Sequence, residues 1–155
     1  MQRCGRNSML GAVQLDLLED VMDKYVRAYL TEPLERVGAI RDGVEQAELV
    51  ALAADLNISV QSLRKALRVK GGAYRCSADA SERILGLMAL IGQVDTMVHR
   101  HNPDAKFGAA AWLGNWLNNP VGALGGIRPA SLLDTMAGMA ILSNLLALSG
   151  SGAFA

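Results

Sequence analysis

The chain has 155 residues, 51% of them hydrophobic, with 5% aromatic residues, four prolines and a formal net charge of zero. This is the length of one ordinary domain or of two small helical lobes, and a composition poor in aromatic residues and prolines predicts an all-α fold rather than a sandwich or barrel. A neutral chain does not coat nucleic acid or anionic membrane by bulk attraction, so a role at either one needs local charge.

The N-terminal part of the sequence predicts two helices. Apolar residues recur at helical spacing from Met9 to Leu30 and predict an amphipathic helix that ends near Thr31. A short helix over residues 34–40 follows and stops near Gly43, a residue suited to a helix C-cap. Acidic residues interrupt any apolar signal segment near the N-terminus, so we expect a cytoplasmic protein.

Residues 48–68, ELVALAADLNISVQSLRKALR, fit the register of a helix-turn-helix. Ala53 is small where the two helices cross, Asn57 stands at the turn position that adopts a left-handed backbone, and Ser59 is an N-cap for the second helix. That second helix carries amide, hydroxyl and cationic groups suited to base edges and phosphates. The candidate DNA-binding residues are Gln61, Ser62, Arg64, Lys65 and Arg68. The alternative is a plain helical hairpin with a solvated basic face.

The next segment breaks the helical pattern. Two adjacent glycines and an aperiodic run predict a hinge or lobe boundary near residues 70–78. Asp79 or Ser81 is the expected cap of a long helix with an apolar stripe, and this helix ends at Asn102 before a proline.

The C-terminal third predicts two helices joined by a glycine-rich loop. The first helix, over residues 106–117, places Trp112 and Trp116 on one face. The loop over residues 121–128 and a short helix lead to the final helix, residues 136–148, which ends in a Gly/Ser turn. This last helix is shorter than the roughly 20 residues that span a bilayer, so we expect protein to bury it.

Charge is unevenly placed along the chain. In residues 107–155 the only charged side chains are Arg128 and Asp134. A small domain that faces water carries more charge, so we expect another chain or a second copy to cover much of this surface. Residues 59–76 show the opposite imbalance, with basic residues and no acid.

The remaining polar residues do not suggest a catalytic or metal site. His99 and His101 lack a third ligand at suitable spacing, and we interpret them as interacting with a helix C-terminus rather than with a metal. Cys4 and Cys76 lack CxxC spacing and are interpreted as free thiols of a reducing compartment. Without a recognisable nucleophile, acid–base pair or phosphate loop, the sequence predicts a non-enzyme with no cofactor.

The segment from Trp116 to Gly138, WLNNPVGALGGIRPASLLDTMAG, closely resembles the toxin-binding signature of the Xre/ParS/MbcA antitoxin family. In this chain the signature residues are Trp116, Leu117, Pro120, Ala123, Leu124, Gly125, Gly126, Pro129, Leu132, Leu133, Thr135 and Gly138, followed by Leu145 and Leu146. The resemblance covers residues 34–155. The chain departs from the family pattern at Val121, where members have Asn, and at Gly150, where they have Glu.

The resemblance implies the antitoxin of a type II toxin–antitoxin system. Its implied partner is a RES-domain toxin that consumes NAD or transfers ADP-ribose, and the C-terminal segment covers the active site of that toxin. The implied toxin contacts are Gly125, Gly126, Arg128, Leu145, Leu146, Ala153, Phe154 and Ala155. The family's helix-turn-helix is associated with repression of its own operon, so operator DNA is a second expected partner, and we expect a homodimer or a larger assembly with the toxin.

The sequence thus divides into an N-terminal amphipathic helix at 1–33, a helix-turn-helix region at 34–76 and a toxin-binding domain at 77–155. The alternative function is a helix-turn-helix transcriptional repressor whose C-terminal third is only a dimerisation interface. A third hypothesis, an enzyme or a small-molecule sensor built on the glycine loop, lacks an acid, base or nucleophile.

Overall fold

The computed structural model of the chain describes residues 24–150, and the regular elements in that range are helices. The elements in chain order are a helix at 24–30 (α1), α2 (Pro33–Asp42), α3 (Gln46–Asp55), α4 (Val60–Leu67), α5 (Ala78–His101), α6 (Ala109–Asn118) and α7 (Met136–Gly150). Two 3₁₀ turns, Gly122–Leu124 and Pro129–Leu132, connect α6 to α7. The all-α prediction is confirmed. Over residues 24–150, no helix combines the length and the apolar character that crossing a membrane requires.

Helix α5 lies at the centre of the fold. Every residue from Gly86 to Asp95 is buried, which requires other elements on all sides of the helix. Helices α2, α4, α6 and α7 pack against it, and α7 makes the most extensive contact.

One hydrophobic cluster joins residues from both sides of the predicted hinge at 70–78. Leu52 and Leu63 of the helix-turn-helix belong to the same cluster as Ile84 and Leu113 from the C-terminal half. The connecting segment is also tied back to α3, because the backbone N–H of Gln46 donates to Tyr74 O at 3.0 Å. The two halves of the chain therefore share a core.

Two glycines let helices approach at backbone distance. A Cβ at Gly92 of α5 would lie 2.0 Å from Tyr25 O, and a Cβ at Gly114 of α6 would lie 2.0 Å from Leu56 O. Both distances are far inside van der Waals contact, so a side chain at either position would force the helices apart. Helix α6 is thus pressed against the end of α3, where the turn of the helix-turn-helix begins.

A buried tyrosine anchors α1 to α3. Tyr25 is fully buried and its hydroxyl donates to the Asp55 carboxylate, while Lys24 Nζ lies 3.3 Å from Glu48 Oε1. Burial, reinforced by the Asp55 carboxylate, raises the pKa of Tyr25 well above its ordinary value, so the phenol remains a neutral donor. The predicted amphipathic helix from Met9 is helical over residues 24–30, and its earlier part lies outside the described residues.

The structure confirms one predicted helix end and corrects two others. Gly43 is the C-cap of α2 with φ of +80°, as its position suggested. The cap of α5 is Ser77, whose Oγ accepts from Ala80 N at 3.3 Å, so Asp79 and Ser81 were the wrong candidates. The predicted Gly/Ser turn after residue 148 is also wrong for its first two residues, because α7 continues through Gly150.

Candidate functional site

Helices α3 and α4 are joined by a short turn over the residues for which the sequence predicts a helix-turn-helix. Asn57 has a left-handed backbone with φ of +57°, and Ser59 Oγ accepts from Ser62 N at 3.1 Å. Ala53 is fully buried, and its carbonyl accepts from Ile58 N at 3.1 Å. The turn, the cap and the small residue at the crossing are all confirmed.

The candidate DNA-binding residues differ in how much of each side chain is exposed to solvent. Gln61, Ser62 and Lys65 are exposed on α4. Arg64 is half-buried, and its Nη1 atom is enclosed beside Gly71 without a hydrogen-bond partner within residues 24–150. Arg64 therefore presents less of its guanidinium to a ligand than its place in the sequence suggested.

Arg68 connects the end of α4 to the C-terminal part of the fold. It has a left-handed backbone with φ of +52°, and its Nη2 lies 3.1 Å from Asp134 Oδ2. Arg83 of α5 supports the same helix end by donating to Leu67 O at 2.7 Å and to Arg68 O at 3.3 Å. These contacts satisfy carbonyl groups that a helix C-terminus leaves without intrahelical partners.

Acids from elsewhere partly neutralise the basic segment at residues 59–76. Besides the Arg68–Asp134 pair, Arg75 Nη2 lies 3.3 Å from Glu45 Oε1. Counting charge along the sequence therefore overstates the positive charge of this face, because the acids lie close in space and far along the chain.

The glycine-rich loop between α6 and α7 is a closed backbone turn. Val121 N donates to Ile127 O at 3.2 Å and Gly126 N to Val121 O at 3.0 Å. Gly125 and Gly126 have φ of +69° and +84°, a conformation that side chains rarely adopt, whereas no atom lies within 4 Å of a Cβ placed on either residue. The glycines serve the turn rather than a close approach, and both are exposed.

Arg128 stands at the end of this loop. It is exposed, and its carbonyl accepts from Ser131 Oγ at 2.7 Å, which holds the following 3₁₀ turn. The guanidinium makes no ion pair with any residue in the described range, whereas the other charged residue of this region, Asp134, pairs with Arg68. The loop therefore presents one positive charge beside exposed backbone and Ile127, which is 50% exposed.

Helix α7 buries one face and exposes another although nearly all of its residues are apolar. The predicted contacts Leu145 and Leu146 are only 9% and 1% exposed, so they pack inside the fold and offer no surface in this conformation. Ala137, Ile141 and Asn144 are exposed at a spacing of three to four residues and share the outer face, with Ile141 at 50%. The sequence missed these positions because an apolar helix has no polar stripe to mark its outer side.

A polar pair fixes which face of α7 turns inward. Gln93 of α5 is buried; its Nε2 donates to Ser143 O at 2.9 Å and its Oε1 accepts from Ser143 Oγ at 2.8 Å. A different rotation of α7 would leave the Gln93 amide buried without partners, which is costly. The pair therefore specifies the rotation that exposes Ile141.

Two aromatic side chains stack on α6 as their spacing predicts. The rings of Trp112 and Trp116 lie 6.1 Å apart and nearly parallel, and Phe107 lies 6.2 Å from Trp112. Trp112 is 39% exposed, so this cluster presents an aromatic edge at the surface. The tail residues Ala153, Phe154 and Ala155 lie outside the described residues.

The titratable groups of the interior serve the fold. His99 Nδ1 lies 2.9 Å from Asp95 O and Nε2 lies 3.2 Å from Ala105 O, both at the end of α5. Burial raises the pKa of the Asp95 carboxyl and of the Cys76 thiol, which favours their neutral forms. Within residues 24–150, no three His, Cys, Asp or Glu side chains are grouped to hold a metal ion.

The chain is similar to known antitoxins, both in one domain and over most of its length. Residues 104–147 match the family model of the antitoxin Xre/MbcA/ParS C-terminal toxin-binding domain. The chain is also 38% identical over 139 residues to the Prs ADP-ribosylating antitoxin of Sphingobium sp. (strain YBL2), an alignment that covers 84% of this chain and 87% of that relative.

Proposed function

Because the chain belongs to the Xre/MbcA/ParS family of antitoxins, we propose that it neutralises a RES-domain toxin that acts on NAD. The name of the Sphingobium relative associates an antitoxin with ADP-ribosylation of Prs, and ADP-ribose transfer starts from NAD. We assign the reaction, either consumption of NAD or transfer of ADP-ribose, to the toxin partner and occlusion of its active site to this chain.

The observation that carries this proposal is the charge-poor surface of residues 107–147, whose charged side chains are Arg128 and Asp134. Ile127 and Ile141 are each half-exposed there, and exposed apolar side chains with few charges around them are typical of a surface that a partner covers. Gly125, Gly126 and Arg128 form the polar part of this surface, with backbone groups and a guanidinium that has no ion-pair partner within residues 24–150 and is free to meet an acidic group of the toxin.

Leu145 and Leu146 are buried in this conformation, so we propose that α7 contacts the toxin through its outer face. The proposed contacts there are Ile141 and Asn144. The tail, with its aromatic Phe154, remains the segment that we propose enters the toxin's NAD pocket.

The family resemblance implies that the toxin is encoded beside this chain, and a growth assay with the product of that neighbouring gene tests the proposal. Co-expression of the full chain restores growth, and removal of residues 151–155, which leaves α7 intact, abolishes protection. The truncation ends after Gly150 because a Cβ there would lie 2.0 Å from Met97 Cε, so this part of α7 packs against the body of the fold. Full protection by the truncated chain would refute occlusion by the tail.

A matched pair of variants tests the α7 surface. Ile141→Asp introduces a charge at a residue that is 50% exposed on α7, and Val50→Asp does the same at a residue that is 47% exposed on α3. We expect loss of protection for Ile141→Asp and normal protection for Val50→Asp. If both variants protected growth as well as the unmodified chain does, the outer face of α7 would not be a toxin contact.

The helix-turn-helix supports autorepression as a second activity, and a plain repressor as the alternative function. Gln61 and Lys65 are exposed candidates whose side chains make no hydrogen bond or ion pair within residues 24–150. Their replacement by Ala should weaken binding to promoter DNA and reduce its salt dependence, with Lys106→Ala, an exposed lysine outside the basic segment, as the control. Tight DNA binding by a chain that does not protect against the neighbouring gene product would favour the repressor.

A further inference from the structure

The loop that follows α4, residues 70–75, is exposed along its whole length and is nevertheless fixed to the start of α3. The backbone N–H of Gln46 donates to Tyr74 O at 3.0 Å, and the Gln46 side chain donates from Nε2 to Lys70 O at 3.4 Å. Both ends of the loop are therefore held by one residue of the helix-turn-helix region. We call this segment the 70–75 loop.

The 70–75 loop connects the two helices of the helix-turn-helix region on their outer side. Lys70 contacts Gln46, which is the first residue of α3, and a Cβ placed at Gly71 would lie 3.7 Å from Nη1 of Arg64 on α4. In a DNA-bound helix-turn-helix, the second helix enters the major groove while the first crosses the sugar–phosphate backbone. A loop that touches both helices therefore lies next to the expected path of that backbone.

The loop carries donors that have no acceptor within residues 24–150. The Lys70 ammonium makes no ion pair there, and the backbone N–H groups of Gly71 and Gly72 donate no hydrogen bond. Because neither glycine has a side chain, a large anion can approach these N–H groups closely. Cationic side chains and exposed backbone N–H groups are the donors that bind phosphate oxygens of DNA.

An uncompensated positive charge lies beneath the same loop. Arg64 Nη1 is enclosed next to Gly71 without a hydrogen-bond partner, and Arg64 makes no ion pair within residues 24–150. Glu45, the acid nearest in contact, is already paired with Arg75 at 3.3 Å. A half-buried guanidinium without an anion is unfavourable, so the loop surface above it favours a negatively charged ligand.

We propose that the 70–75 loop is a second DNA contact of this chain, which binds a backbone phosphate beside the groove that α4 enters. Lys70 and the N–H groups of Gly71 and Gly72 contact the phosphate, and Arg64 supplies positive charge from beneath without touching it. The proposal rests on the DNA-binding activity proposed above. It adds a contact that positions α4 and carries no sequence information of its own.

The test measures DNA binding by the full-length chain, using fluorescence anisotropy over a salt series. The probes are a duplex with the sequence upstream of this chain's gene and a scrambled duplex of equal length. Lys70→Ala should weaken binding to both duplexes roughly tenfold, as expected for one charge-assisted hydrogen bond, and reduce the salt slope by about 1. Gln61→Ala should instead reduce the preference for the upstream sequence, because Gln61 lies on α4.

Two control variants separate a local contact from the effect of overall charge. Lys70→Arg keeps the positive charge of the loop and should bind both duplexes like the wild type. Lys106→Ala removes an exposed lysine outside the loop and should also bind like the wild type. Far-UV circular dichroism of each variant verifies that the helices are retained.

Three results would overturn the proposal: unchanged affinity and salt slope for Lys70→Ala, an equal loss for Lys106→Ala, or a Lys70→Ala variant that binds DNA normally but no longer protects against the toxin. The last result would assign the loop to the toxin interface. If Gln61→Ala weakens binding to the upstream duplex and Lys70→Ala does not, only the loop contact fails. If the wild type binds neither duplex, autorepression fails as well, while the growth assay tests neutralisation separately.

Discussion

Gly114→Ala tests the packing that joins the two halves of the molecule. The new Cβ would lie 2.0 Å from Leu56 O, while ordinary contact is about 3.5 Å, so α6 must retreat by roughly 1.5 Å. The obstructing atom, Leu56 O, belongs to the backbone, so it cannot move aside by a change of side-chain rotamer. Overpacking of this kind costs about 1–3 kcal/mol, and we expect a value near the upper end because the obstructing atom is the backbone carbonyl of Leu56, the C-cap of α3.

A loss of about 3 kcal/mol corresponds to a decrease in Tm of roughly 6–12 °C for a chain of this size. Urea and thermal unfolding are followed by far-UV circular dichroism, which reports all helices, and by fluorescence of Trp112 and Trp116, which reports α6. Both signals should shift together, because the helix-turn-helix and the C-terminal half share a core.

The control is Gly122→Ala, where no atom lies within 4 Å of the Cβ position and the Tm should stay near that of the wild type. An unchanged Tm for Gly114→Ala would refute the close approach of α6 to Leu56. If the substitution lowered the midpoint of the fluorescence transition but left that of the circular dichroism transition unchanged, the shared core would be refuted.

Three further predictions concern polar and charged groups. Ser143→Ala should lower the free energy of unfolding in urea by about 1–3 kcal/mol, because Gln93 Oε1 loses its donor. If Ser143→Ala alone lowered this free energy by less than the double variant Ser143→Ala/Gln93→Leu, the prediction would be wrong. Asp95→Asn should raise the Tm at pH 7 and lose that advantage toward pH 4. Burial raises the pKa of Asp95 by more than His99, whose Nδ1 lies 3.2 Å from Asp95 Oδ1, lowers it, so the neutral form that suits the folded state is lost as pH rises. Asp134→Asn should tighten binding to promoter DNA at low salt, measured by fluorescence anisotropy, because Arg68 loses its acidic neighbour; unchanged binding would exclude Arg68 from the DNA interface.

Local sequence signals predicted the elements that depend on near neighbours. Asn57 and Ser59 marked the turn and the cap of α4, and the spacing of Trp112 and Trp116 placed their rings together. The resemblance carried by the segment after Trp116 is confirmed by the family match over residues 104–147. In each case the informative residues lie within a few helical turns of one another.

The sequence failed where a residue's partner is distant along the chain. Ser81 looked like a helix cap, but it is buried and its Oγ accepts from Val44 N at 2.8 Å, a contact made by tertiary packing. Arg68 has no acidic residue close to it in the sequence, but the fold places Asp134 Oδ2 3.1 Å from its Nη2.

The most direct test of the central claim is NAD turnover by the purified toxin of the neighbouring gene, measured with increasing amounts of this chain. We predict that the full chain abolishes turnover at stoichiometric concentration and that Val50→Asp does the same. The chain truncated after Gly150 and the Ile141→Asp variant should not abolish it. Inhibition by all four proteins, or by none, would contradict neutralisation through the C-terminal segment.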